Sequence, residues 1–209
     1  MDVLNILFGS EARVRIMRLF LFNPEVVFDF VMVCEKSKVD VKTVKKEFSV
    51  LEKAELIKGK DFSKIIQKNV RGKINDVKVK THGYFLNQNF PYLLSLRQLL
   101  ISTKTFEGVE IVKRLSRVGK LKLVLVSGVF THDKDSRVDM LVVGNNLNKT
   151  TLSKVVKTIE AELGKELVYA FFETQDFEYR TRMYDKLIRD IMDYPHQILL
   201  NKISNELIN

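Results

Sequence analysis

Thirteen residues between positions 36 and 73 have side chains of the types that could bind a polyanion: Lys36, Ser37, Lys38, Lys42, Thr43, Lys45, Lys46, Ser49, Lys60, Lys64, Lys68, Arg71 and Lys73. Lysine and arginine neutralise phosphates, and serine and threonine hydroxyls bond phosphate oxygens or base edges. The whole chain holds 35 Lys+Arg against 26 Asp+Glu, a net charge of +9. From Lys36 to His82 there are 14 Lys+Arg against 6 Asp+Glu, a local excess of +8. Nearly all of the excess therefore lies in under a quarter of the sequence. A nucleic-acid footprint concentrates charge in this way, whereas a merely solvated surface spreads it. The competing readings are an idle basic face and an acidic membrane surface.

Other constellations are weaker. His132, Asp133, Asp135 and Asp139 are close in sequence, but no repeated ligand spacing supports a metal, and a solvated turn is the favoured reading. Arg137 among these acids suggests a local ion pair or an anion contact. Tyr179, Arg180, Arg182, Tyr184 and Arg189 form a basic, aromatic stretch that reads as a solvated helix face before it reads as a ligand site. The single cysteine, Cys34, ends the apolar run Val27 to Cys34 and reads as a small buried hydrophobe in a reducing compartment. No Ser-His-Asp or Cys-His spacing, phosphate-binding glycine loop or CxxC pair is present. No enzyme activity, metal or cofactor is therefore expected. With no run of about 18 apolar residues and no leader pattern, the expectation is a soluble cytoplasmic protein without membrane contact.

The elements that must position these groups follow from spacing. Ser10 is a candidate N-cap for a helix reaching Phe22, and Asn23-Pro24 stops it. A second helix is expected over about 27–34, then a polar turn at Glu35-Lys36-Ser37-Lys38. Asp40 caps a third helix over about 41–54, with Val41, Val44, Phe48 and Leu51 on one face and Lys42, Thr43, Lys45, Lys46 and Ser49 opposite. Two short helices about a polar turn, the second apolar behind and basic in front, meet the requirements of a helix-turn-helix, whose front enters the major groove N-terminus first. Leu56 to Lys60 reads as a short strand and Val77 to His82 as an amphipathic one. A long basic loop between them would touch phosphates with Lys60, Lys64, Lys68, Arg71 and Lys73.

The segments Leu7-Phe8-Gly9-Ser10-Glu11-Ala12-Arg13-Val14-Arg15-Ile16 and Thr43-Val44-Lys45-Lys46-Glu47-Phe48-Ser49-Val50-Leu51-Glu52-Lys53-Ala54-Glu55-Leu56-Ile57 resemble the winged helix-turn-helix transcriptional regulators of the ArsR and MarR kind. Glu55 stands where that family usually has glycine. The resemblance covers about 3–90 and implies double-stranded DNA as partner and a homodimer. The helix Tyr92 to Ser102 is apolar on two sides, which suggests burial between domains or in a dimer interface.

Beyond Pro91, helices at about 109–118, 151–163 and 177–192 alternate with strands at 121–126, 138–144 and 166–172, and Ile198-Leu199-Leu200 offers a last strand or docking segment. That order resembles the minimal nucleotidyltransferase fold, whose motif is a glycine-serine after the first strand, two metal-binding aspartates on the second and a third carboxylate on a later strand, which here is only flanked by Glu166 and Glu173. The residual motif is Ser127, Gly128, Ser136, Arg137 and Asp139. Arg137 occupies the place of the first metal carboxylate, and Ser127-Gly128 inverts the glycine-serine pair. The resemblance thus implies a fold relative without the activity, serving dimerisation, sensing, or binding of a small molecule or protein. The expected class is α+β: a winged helix-turn-helix at 1–90, a connecting helix at 91–104, and a nucleotidyltransferase-like domain at 105–209. The alternatives are an active nucleotidyltransferase on RNA or protein, and an RNA-binding winged helix.

Overall fold

The structure, a computed structural model, describes residues 3–70, 73–101, 108–133 and 135–203, apart from the side chains of 66, 68–70 and 73–75. It is a mixed α+β protein with two sheets. Contacts divide it into two units, Met1–Thr103 with Glu160–Lys165, and Lys104–Ile159 with Glu166–Asn209. Among the described residues, no helix is long and apolar enough to cross a membrane.

The N-terminal unit is assembled around one nearly enveloped helix. After α1 (Val3–Leu7), helix α2 (Glu11–Phe22) starts where the Ser10 hydroxyl accepts from the Arg13 N–H. It buries Val14, Ile16, Met17, Leu19, Phe20 and Leu21. A two-residue strand β1 (Phe28–Asp29) leads into α3 (Phe30–Ser37), and α4 (Val41–Lys53) follows a one-residue left-handed C-cap at Lys38. The hairpin strands β2 (Ile57–Val70) and β3 (Lys73–Leu86) and helix α5 (Leu93–Leu100) complete the unit. Phe48 of α4 is its hinge of packing: its ring meets Phe20, Phe30 and Tyr84 at centroid distances of 6.1, 5.8 and 4.4 Å. Burying such rings is the largest apolar contribution available to a unit this small.

Two expectations are corrected here. The second helix begins at Phe30 instead of Val27, because Phe28 and Asp29 pair with Tyr84 and Gly83 of β3 and the Asp29 carboxylate caps α3 through the Met32 N–H. It also runs on to Ser37, so most of the supposed turn is helix. The long basic loop is no loop: from Ile57↔Leu86 to Val70↔Lys73 the two strands pair without a break in register, antiparallel in the order β1-β3-β2. Pairing between two strands is invisible to a reading of alternation along one strand, which registered only the two ends.

The second unit holds α6 (Gly108–Leu115), β4 (Lys120–Ser127), β5 (Met140–Asn145), α7 (Lys149–Leu163) as far as Ile159, β6 (Tyr169–Glu173), α8 (Thr174–Arg182), α9 (Lys186–Asp193) and β7 (His196–Asn201). Its sheet has the order β6-β5-β4-β7, with β5 and β6 parallel and the other pairs antiparallel. Leu123, Leu125, Leu141 and Val143 pack on Phe177, Ile188 and Ile191. The helix expected over 177–192 is broken in two. Tyr184 takes φ +52°, which a helix interior forbids, and the Asp185 carboxylate restarts the chain by accepting from the Leu187 and Ile188 N–H groups. Ile198 to Leu200 belong to β7, an edge strand on β4.

Candidate nucleic-acid interface

Helix α4 exists because its two faces differ. Asp40 accepts from the Thr43 N–H at 3.0 Å, and that bond with the Thr43 hydroxyl holds the Asp40 carboxyl below its ordinary range. Val44, Glu47, Phe48 and Leu51 are buried, while Lys42, Lys45, Lys46 and Ser49 are exposed. At about 100° per residue, positions 42, 46, 49 and 53 fall on one stripe, and Lys53 is exposed there too. Lys53 was missed in the sequence because it lies outside the first turns; its i+11 spacing from Lys42 is the signal that finds it. Lys45 also stands 5.9 Å from the centroid of the Phe30 ring, a cation–π contact that holds its stem.

A buried acid fixes the helix. Glu47 is only 4% exposed in its side chain, and its two oxygens accept from the Ser10 hydroxyl and from Arg13 Nε, each at 2.7 Å. Arg13 also donates to the Phe8 carbonyl at 3.0 Å. An ion pair so placed adds little net stability but fixes one arrangement of α4 on the start of α2, since every other arrangement strands a charge. The sequence sign of this group is an acid at an apolar phase of the α4 period.

The remaining expected contacts divide. Ser37 is buried and its hydroxyl donates to the Val33 carbonyl, so it is withdrawn as a contact; a serine in a last helical turn bonds back to i−4. Thr43 is half-buried and occupied with its cap. Lys38 and Lys60 are exposed and Lys36 is half-buried. Lys64 crosses the sheet to pair with Asp29, which is 2% exposed. Burial works against the Asp29 charge, but the Lys64 ammonium and the Met32 N–H outweigh it and hold the carboxyl below its ordinary value. Lys64 is thus a structural cation. Arg71 lies outside the described residues, as do the side chains of Lys68 and Lys73.

In the second unit the polar residues turn onto backbone. Asp139 is buried; Oδ1 accepts from the Val129 N–H at 2.8 Å and Oδ2 from the Val168 N–H at 2.9 Å. Gly128 has φ +56°, and a Cβ on it would stand 2.3 Å from Asp139 Oδ1. The Ser127 hydroxyl donates to the Val138 carbonyl, and the Ser136 hydroxyl lies 3.0 Å from the Ser127 hydroxyl. Arg137 lies 2.8 Å from Asp190 Oδ2, an oxygen with no aligned hydrogen bond, so the contact is coulombic. Glu173 accepts from the Asn146 and Leu147 N–H groups at 3.0 and 2.9 Å. The parallel register Met140↔Tyr169 to Gly144↔Glu173 places it at the opposite end of β5 from Asp139, about 13 Å or more away at about 3.3 Å per residue. Two metals about 4 Å apart cannot be shared across that span. His132, Asp133 and Asp135 are not gathered with Asp139: among the described residues no group of three or more His, Cys, Asp or Glu could hold a metal ion.

No family model, curated protein or solved structure matches this chain.

Proposed function

We propose that this protein is a transcriptional regulator that binds double-stranded DNA as a homodimer. In this reading the N-terminal unit is a winged helix-turn-helix, α4 is its recognition helix and the β2–β3 hairpin is its wing. The observation that carries the reading is the exposed stripe of Lys42, Lys46, Ser49 and Lys53, with Lys45 beside it, on a helix whose other face is locked to α2. A helix that is rigid behind and cationic in front enters a major groove without reorganising, with side chains near its N-terminus closest to base edges.

The second unit in this reading is a nucleotidyltransferase-like body without activity. What supports that is the use of Asp139 for two backbone N–H groups and the placing of Glu173 at the far end of the strand. The homodimer is supported by apolar residues left exposed at α5, Tyr92 with Leu99 on one side and Leu94 on another, which a two-fold partner would cover.

The test is a salt series on duplex DNA with the whole chain. Each phosphate contact contributes about −0.9 to the slope of log affinity against log salt. Lys45→Ala with Lys46→Ala is expected to lower the slope by about 1.8 and weaken binding at least tenfold. An unchanged affinity and slope would sink the recognition-helix assignment.

A further inference from the structure

Charge is sorted within the second unit. Residues 108–122, which hold α6 and the start of β4, carry 5 Lys+Arg against 1 Asp+Glu. Residues 145–159, which hold α7 as far as Ile159, carry 3 against none. Residues 166–203, which hold β6, α8, α9 and β7, carry 5 against 7. The cations of this unit therefore belong to α6 and α7, and the acids to the elements that follow.

The two basic segments lie on one side of the sheet. Helices α8 and α9 cover Leu123, Leu125, Leu141 and Val143 with Phe177, Ile188 and Ile191. Side chains alternate along a strand, so Val124, Val126, Met140 and Val142 face the other way. These are buried too, and α6 and α7 are the helices of this unit left to cover them, with Ile111, Leu115, Leu152 and Val156 buried. The end of α6 meets the start of α7: the Asn148 N–H donates to the Val118 carbonyl at 2.9 Å, and Lys120 pairs with Asn145. Arg117, Lys120 and Lys149 border that junction. Lys113 stands one turn back along α6, and Lys154 and Lys157 continue along the outer side of α7; all six are exposed. The one acid of the two segments, Glu110, is held by Arg114 at 3.0 Å. Arg117, Lys120, Lys149, Lys154 and Lys157 make no ion pair among the described residues.

What this surface lacks narrows its partner. Neither segment contains an aromatic residue or a histidine, so no ring is present on which an unpaired base could stack. Val109 apart, the exposed residues are Lys, Arg, Ser, Thr and Asn, the types that bond phosphate oxygens. Cations held on two packed helices suit a rigid array of phosphates, about one charge per 1.7 Å of duplex axis.

We propose that the α6–α7 face binds the phosphate backbone of duplex DNA as a sequence-independent anchor. This rests on the DNA-binding reading of the N-terminal unit. It gives the second unit a share in affinity and none in the choice of sequence, because backbone contacts carry no base information.

The experiment measures the whole chain in a salt series on two duplexes, one selected from a randomised pool and one of scrambled sequence. Arg117→Ala with Lys120→Ala and Lys149→Ala is expected to lower the salt slope by about 2.7 and to weaken both duplexes by the same factor. Arg182→Ala with Lys186→Ala and Arg189→Ala makes the same change in net charge on the α8–α9 side and is expected to leave the slope in place. In the unaltered chain, bound duplex is expected to protect Lys120 and Lys149 from an amine-reactive reagent, a readout that needs no variant to fold. An equal fall in the control, or a Lys149 that stays reactive under bound duplex, overturns the anchor. If the first variant leaves the slope unchanged while Lys45→Ala with Lys46→Ala lowers it, the anchor falls and the recognition-helix reading stands. If the unaltered chain binds neither duplex, both fall. A loss seen with double-stranded RNA and not with DNA overturns DNA as the occupant.

Discussion

The α4 surface and the β4–β5 turn are both rich in polar residues, yet they use them in opposite directions. On α4 the cations at 42, 45, 46 and 53 point outward, and one buried acid, Glu47, holds the helix in place from behind. In the second unit Asp139, Ser127 and Glu173 have their acceptors or donors satisfied by backbone, and the motif closes on itself. A carboxylate that accepts one backbone N–H on each oxygen is held in a fixed place by the scaffold and ties two segments of backbone together. The lesson is that residue type at a motif position is only an offer. Whether it becomes chemistry or scaffolding depends on what the fold points at it.

The strongest way to break this contrast is at Asp139. Asp139→Ala strands two N–H groups and is expected to destabilise the second unit by about 2–4 kcal/mol, while Asp139→Asn, which keeps one acceptor, costs less. Denaturant unfolding of the whole chain followed by a probe in that unit measures it; an unchanged midpoint would return Asp139 to the list of available carboxylates.

Next is Lys64, a cation of the hairpin that behaves like the second unit's residues. Lys64→Met is expected to cost about 1–3 kcal/mol, because Asp29 stays buried without its partner. The folded Asp29 carboxyl lies below its ordinary value near 3.8, so the stability it contributes is complete above that value and is lost as pH falls through the lower folded value. Without Lys64, burial dominates and raises the carboxyl, so acid unfolding should begin at a higher pH. Circular dichroism across an acid titration checks the direction, and DNA affinity should fall less than in Lys45→Ala with Lys46→Ala.

Smaller still is Glu55, which ends α4 with φ +61°. Glycine adopts that conformation without strain, so Glu55→Gly is expected to stabilise the N-terminal unit by about 1 kcal/mol, read from its thermal midpoint. The smallest effect belongs to Lys53→Ala: stability within about 0.5 kcal/mol and a salt slope lower by about 0.9. A slope that does not move would shorten the candidate stripe by one turn.

Much of the N-terminal unit was legible. The caps at Ser10 and Asp40 and the buried face Val44, Phe48 and Leu51 of α4 stand where the sequence places them, since caps and helical period are written within a few residues. The start of α3 was not legible, because Asp29 is claimed by a strand more than 50 residues away. The break at Tyr184 was half-written, in the cap Asp185.

The sequence by itself determined where charge accumulates and which helix has a cationic front. Only the tertiary structure decided which of those charges remain available. It spent Lys64 on Asp29, turned Ser37 inward, closed Asp139 onto two peptide groups and paired β2 with β3 along their whole length. The physical reason is that charge and helical period are local properties, whereas hydrogen-bond satisfaction and strand register are settled between residues that meet only when the chain has folded.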